Sequence, residues 1–289
     1  MAPSPSELQS PTHPLSLIPF PPSIAILSLV QASMIALPAK RSLPGAVRLT
    51  SRWWALVLPG SVVTVVAGIA IDPGLADALT YLALVAVPVL AALALSWAIR
   101  GARVGLALLS IPLFAIAWIL PGTLTGQAAA LALSALACVA LGSLIASSVP
   151  GRWLRLAIYA MAIVDTCLVG ADLLQSPNAV LNGAAPAAGL PQLQFAQFGS
   201  AVLGFGDLFI AAVLGAMLAG QRGLQLRATA IAGCLALAFD LLFFFVAELP
   251  ATVPIALTLG VLEVSARRRA VRDSASRRAA ARGPRGVAA

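Results

Sequence analysis

Long apolar runs, interrupted by very few charged residues, are the feature that most restricts what this chain can fold into. Of its 289 residues, 60% are hydrophobic and only 10% are charged, whereas an ordinary soluble domain carries about 25% charged residues. So few charges cannot provide a water-facing surface around so much apolar chain. The sequence therefore excludes a soluble enzyme, a fibrous protein and a disordered chain, and it predicts an integral membrane protein.

The apolar runs are bounded by charged residues, proline and glycine, and they predict membrane-crossing helices. Such a helix needs roughly 20 apolar residues, and a helix is expected because a lone span must satisfy its own backbone hydrogen bonds. Pro21 and Pro22 interrupt the first run. We predict an all-α polytopic membrane protein with nine transmembrane helices, at 17–38, 54–72, 78–98, 103–120, 127–147, 153–174, 198–219, 227–248 and 251–266.

The basic residues predict the orientation of these helices. They lie in every odd-numbered connection and after the ninth span, and the other connections hold none. Because cytoplasmic loops carry the excess of Lys and Arg, the N-terminus is expected outside and the C-terminus in the cytoplasm. The predicted parts are an extracytoplasmic tail (1–16), a five-helix part (17–147), a four-helix part (153–266) and a basic cytoplasmic tail (267–289). The net charge of +8 is thus explained by topology and not by nucleic acid, and the Arg- and Ala-rich composition favours a bacterial plasma membrane.

The cysteine and histidine content predicts no metal site and no cofactor. Cys138, Cys167 and Cys234 all lie inside apolar runs without C-x-x-C spacing, and His13 is the one histidine of the chain. Small core residues are the expected role of these cysteines. A Ser-His triad or a histidine metal site lacks the residues it would need.

Three aspartates, Asp165, Asp207 and Asp240, fall deep within predicted spans six, seven and eight. A charged group at the middle of a bilayer costs about 2.5–3.5 kcal/mol even on the mildest scale, so each is a functional candidate. At 1.5 Å per residue, Asp165 and Asp207 both lie roughly 18 Å from the cytoplasmic ends of antiparallel helices. Asp240 reaches a similar depth, but the Gly-x-Gly before Asp207 allows another backbone to approach closely. We therefore predict Asp165 and Asp207 as the working pair, and Asp240 as a neutral, hydrogen-bonded residue between helices.

Two neighbouring carboxyls have a defined chemistry. Because they cannot both ionise cheaply, they share one proton. The ionised member takes a proton from a water while the protonated member polarises a peptide carbonyl, as in aspartic proteases. The competing interpretation is that these residues are buried polar contacts that hold helices together.

Two segments resemble a known family. Gly204-Phe205-Gly206-Asp207-Leu208-Phe209-Ile210 is similar to the GxGD segment of the presenilin and signal peptide peptidase family, and Leu249-Pro250-Ala251-Thr252 resembles its Pro-Ala-Leu motif. The order agrees as well, with an aspartate in helix six, GxGD in helix seven and the proline motif before helix nine, over roughly residues 155–266.

The resemblance implies a presenilin-like fold and an intramembrane aspartyl protease that needs no cofactor. Its substrates would be transmembrane-helix proteins or signal peptides in the lipid bilayer, with or without accessory subunits. By the resemblance, the catalytic residues are Asp165 and Asp207, and the residues that support the unwound substrate are Gly204, Phe205, Gly206, Pro250, Ala251 and Thr252. The segment 175–197, which is rich in Pro, Gly, Ala and Gln, would add to the substrate as a strand.

The chain departs from the family pattern at three points. Val164 stands where the family usually has Tyr, Thr252 stands where it has Leu, and one additional residue precedes Pro254. The charge pattern also places the loop between helices six and seven outside, as in signal peptide peptidases. This orientation predicts substrates whose N-terminus is in the cytoplasm.

Two alternative functions fit part of the sequence. A prepilin peptidase also uses a GxGD aspartate, but that family usually carries a Lys shortly afterwards, where this chain has Leu208 and Phe209. A proton-coupled transporter would use Asp165, Asp207 and Asp240 as a relay. Such a relay favours a polar path, and the spans are expected to offer no Lys, Arg, His, Asn or Gln partner at depth.

Overall fold

The computed structural model describes residues 18–41, 54–187, 189–246 and 248–281, and most of them are helical. The predicted tail 1–16 lies outside the described residues. A π-helical segment (Ala94–Ala98) follows the third helix, and 3-10 segments lie at Val104–Leu109 and Leu241–Phe244. The α-helices and strands are α1 (Phe20–Ser33), α2 (Trp54–Ile71), α3 (Gly74–Leu93), α4 (Ser110–Ile119), α5 (Leu124–Ser148), α6 (Gly151–Gly170), α7 (Gln175–Gly183), β1 (Phe195–Phe198), β2 (Ala201–Gly204), α8 (Phe205–Leu218), α9 (Arg222–Asp240) and α10 (Val253–Ala281).

Four helical stretches of the described chain are long and apolar enough to cross a membrane. They are Gly74–Ala98, Leu124–Ser148, Gly151–Gly170 and Arg222–Phe244, and shorter apolar helices lie at Phe20–Ser33, Pro59–Ile71, Val104–Ile119 and Phe205–Leu218. Large apolar side chains are exposed on the outside of the bundle, as at Ile71 and Val104. Such exposure is favourable in lipid and unfavourable in water. The predicted helical class and membrane character are confirmed at this level.

The first predicted span is more regular than the sequence indicated. Pro21 and Pro22 lie in the first turn of α1, preceded by Pro19 at the N-cap. Proline is tolerated there because the first N–H groups of a helix have no intrahelical acceptor. These residues therefore begin the helix instead of interrupting it.

The predicted helix at 198–219 is wrong over its first third. An antiparallel hairpin precedes α8, with Phe195 opposite Gly204 and Phe198 opposite Ala201. Gly199, in the two-residue turn, has a φ of +60°, which glycine adopts without strain. A short apolar run does not by itself distinguish a strand from a helix, so the hairpin escaped prediction.

Helix α10 crosses residue 267, where the basic tail is predicted to begin. The helix α10 continues through the basic segment to Ala281, because Ala and Arg are among the best helix formers. Residues 282–289 of the predicted tail lie outside the described part.

Helix α8 is at the centre of the molecule. A run of its residues is fully buried, namely Leu208, Ile210, Ala211, Ala212, Val213 and Leu214. A Cβ added to Gly142 of α5 would lie 2.9 Å from the backbone between Ala212 and Val213, and one added to Gly215 would collide with the backbone of Ile35. Small residues thus let neighbouring segments pack directly against α8, and this packing places Asp207 in the interior.

Candidate active site

Asp207 lies in the first turn of α8, immediately after the hairpin. Its carboxylate Oδ2 accepts a hydrogen bond of 3.1 Å from the backbone N–H of Gly204, which is the N-cap residue of the helix. A Cβ at position 204 would lie 2.9 Å from the same oxygen. The first glycine of the GxGD motif therefore leaves room for the aspartate itself, whereas the sequence had indicated room for another backbone.

Asp165 lies in the C-terminal half of α6 and is held by the proline motif. Its Oδ2 accepts hydrogen bonds from the Thr252 hydroxyl at 2.7 Å and from the Thr252 backbone N–H at 3.3 Å. Thr252 is fully buried. The residue that departs from the family pattern thus supplies a donor that leucine does not have.

Both carboxyls line one cavity of about 650 Å³ between the helices. Of the six predicted substrate-binding residues, Gly204, Phe205, Gly206 and Ala251 line the same cavity. Pro250 is not among the described lining residues, and Thr252 acts instead through its bonds to Asp165. The predicted pair and four of the six predicted substrate-binding residues thus line the same cavity.

Gln31 is the residue that the sequence analysis missed. It lies on α1, is 2% exposed, and its Nε2 donates 3.0 Å hydrogen bonds to the carbonyl oxygens of Asp207 and Ala251. It therefore ties the GxGD turn to the proline motif. The expectation that no Gln lies at depth is wrong here. A single Gln inside an otherwise apolar span was the signal that could have found it.

Asp240, the last residue of α9, makes the predicted bond between helices. The hydroxyl of Ser28 on α1 donates to its Oδ1 at 3.1 Å, which confirms the interhelical hydrogen bond. Asp240 also lines the cavity, and its Oδ2 has no hydrogen-bond partner among the described residues. Asp240 thus shares the depth and the cavity of the predicted pair, and it differs from Asp165 in accepting its hydrogen bond from Ser28 and not from the proline motif.

Comparisons with known protein families, with curated proteins and with solved structures returned no match. The site is therefore interpreted from its own geometry. Among the described residues, no three His, Cys, Asp or Glu side chains come close enough together to hold a metal ion. The titratable side chains that line the cavity are its carboxyls, and hydrogen-bond donors contact three of them, namely Asp165, Asp207 and Asp240.

Proposed function

We propose that this chain is an intramembrane aspartyl protease that hydrolyses peptide bonds within transmembrane segments of membrane proteins or signal peptides. One observation carries the proposal: Asp165 and Asp207, from two different helices, line one cavity beside the GxGD turn and the proline motif. Two carboxyls that share a proton are the arrangement that activates water without a cofactor.

In the proposed reaction, the ionised carboxylate takes a proton from a bound water, and the water oxygen attacks the carbonyl carbon of the substrate. The protonated carboxyl gives its proton to the carbonyl oxygen, so a neutral tetrahedral intermediate forms. The carboxyl that took the proton from water then gives it to the leaving nitrogen, and the other carboxylate takes a proton from one hydroxyl of the intermediate. The C–N bond breaks, the products are a carboxylic acid and an amine, and the pair again holds one proton. Gly204 and Thr252 would hold the two carboxylates in register for these transfers, because each donates to one of them.

The hairpin offers a strand beside which an unwound substrate would bind. A helical substrate hides its peptide bonds and must unwind before water attacks them. Strand β2 ends at Gly204, and its residues Val202 and Leu203 also line the cavity. A substrate strand added beside β2 would therefore extend directly toward Asp207, with Pro250 and Ala251 as predicted support on the other side.

The topology that accompanies this function is part of the proposal. We infer nine membrane crossings in a bacterial plasma membrane, with the N-terminus outside and the C-terminus in the cytoplasm, from the alternation of basic residues along the chain. The site would then accept substrates whose N-terminus is cytoplasmic. Reporters of both orientations test this, and preference for an N-terminus outside would contradict it.

A second function is favoured by one specific observation. Asp240 lines the same cavity as Asp165 and Asp207, so the three carboxyls are candidates for the proton relay of a transporter. Proton uptake into liposomes driven by a solute gradient would support that function.

A prepilin-type GxGD protease would instead require processing of a prepilin leader.

The deciding experiment is cleavage of a single-span reporter by the purified chain in liposomes, with the products identified by mass. We expect cleavage within the span, abolished by Asp207→Asn and retained by Asp172→Asn, a matched change at an exposed aspartate just after α6. Cleavage by Asp207→Asn at the wild-type rate would refute the proposal. An inactive wild-type protein that couples proton uptake to solute would favour the transporter.

A further inference from the structure

A second cavity, of about 810 Å³, lies at the opposite end of α6 from Asp165. Its lining comes from the C-terminal half of α5, the start of α6, the end of α8, the turn after α8 with the start of α9, the middle of α10 and the chain after α1. None of these lining residues belongs to the proposed active site. The cavity is therefore a separate feature of the molecule.

The charge of this cavity is strongly positive. Four cations line it, namely Lys40, Arg41, Arg152 and Arg155, against one carboxylate, Glu263. That carboxylate is already engaged, because Arg155 lies 3.5 Å from it and the Tyr159 hydroxyl donates to it at 3.3 Å. The excess of cations would attract an anionic ligand.

A buried hydroxyl at the cavity also lacks a partner. Ser143 of α5 lines the cavity and is 7% exposed, and its Oγ has no hydrogen-bond partner among the described residues. A buried polar group usually finds a partner, so this hydroxyl indicates a ligand with a polar atom. Gly151, the first residue of α6, also lines the cavity, and the N-terminal end of a helix favours an anion.

The position and the walls of the cavity indicate where the anion comes from. Helix α5 ends at Ser148 and α6 begins at Gly151, and both are long and apolar enough to cross a membrane. The turn between them therefore lies at a membrane surface. Part of the wall is apolar, from Leu154, Met217 and Leu259, which suits the glycerol and the first methylenes of a lipid chain.

We propose that this cavity binds the phosphate headgroup of an anionic phospholipid. The cations and Ser143 contact the phosphate oxygens, and the apolar wall contacts the glycerol end of the lipid. This site goes beyond the general attraction of a basic loop to an anionic leaflet, because it adds a buried donor and a shaped cavity.

The test is a thermal-unfolding titration of the full chain in detergent micelles with phosphatidylglycerol, phosphatidylcholine or inorganic phosphate. We expect stabilisation by phosphatidylglycerol alone. Lys40→Gln and Arg152→Gln should each weaken its apparent affinity about fivefold, since each cation near an anionic lipid contributes on the order of 1 kcal/mol. Ser143→Ala should weaken it a few-fold, because it removes one hydrogen bond.

The matched controls are Arg269→Gln and Arg272→Gln, which remove the same charges from α10 beyond the cavity and should leave the affinity unchanged. An equal loss in these controls would overturn the proposal in favour of non-specific surface charge. Equal stabilisation by phosphatidylcholine, or by inorganic phosphate, would overturn it as well. The binding readout is independent of proteolysis, so it stands or falls separately from the proposed activity.

Discussion

Removing the hydroxyl of Thr252 while keeping its shape tests how the proline motif holds Asp165. Thr252→Val loses the 2.7 Å bond to the carboxylate and keeps the backbone N–H at 3.3 Å. A hydrogen bond to a charged group contributes about 1.5–3 kcal/mol. If that energy is used to orient Asp165 in the transition state, cleavage should slow by about 10- to 150-fold.

The assay is the initial rate of reporter cleavage per folded molecule in liposomes, with the folded fraction measured by thermal unfolding. Thr252→Ser keeps the hydroxyl and should restore most of the rate. Thr258→Val is the matched control, because that hydroxyl is as fully buried as that of Thr252 but lies on α10 and donates to the Pro254 carbonyl. A wild-type rate for Thr252→Val, or an equal loss in Thr258→Val, would refute the assigned role.

Two further substitutions test the contacts that position Asp207. Gln31→Leu removes two hydrogen bonds, those to the partly buried carbonyls of Asp207 and Ala251, so we expect a loss of about 1–3 kcal/mol in the free energy of unfolding together with slower cleavage per folded molecule. Gln225→Leu, which breaks a buried network at the other end of the bundle, should reduce stability and leave that rate unchanged; equal rate effects would contradict the role of Gln31. Gly204→Ala places a Cβ 2.9 Å from the Asp207 carboxylate and should slow cleavage at least tenfold, whereas Gly223→Ala, in open space on α9, should leave it unchanged. Full activity of Gly204→Ala would show that cleavage does not depend on the position that the Asp207 carboxylate takes beside Gly204.

The helices that face lipid could be predicted from the sequence. The apolar runs coincide closely with the helices, because a segment exposed to lipid must satisfy its backbone hydrogen bonds internally and is therefore helical. Proline at 21 and 22 was misjudged because its effect depends on its place in the helix. The hairpin at 195–204 was missed because its stability comes from packing against α1 and α5, which local patterning does not encode.

The candidate site could also be predicted only in part. Asp165 and Asp207 were predictable because a carboxyl in an apolar span is rare and costly. Their partners were not, because Gln31 and Thr252 contact them from positions that are distant along the chain. Only the packing of α1, α6, α8 and the start of α10 around one cavity shows which polar groups meet.

We propose that Asp207 works with Asp165 and not with Asp240, although all three line one cavity. The most direct measurement is the cleavage rate per folded molecule of Asp165→Asn beside that of Asp240→Asn, in the same liposomes and with the same reporter. We expect Asp165→Asn to be inactive and Asp240→Asn to cleave at a rate near that of the wild type. An active Asp165→Asn beside an inactive Asp240→Asn would contradict it.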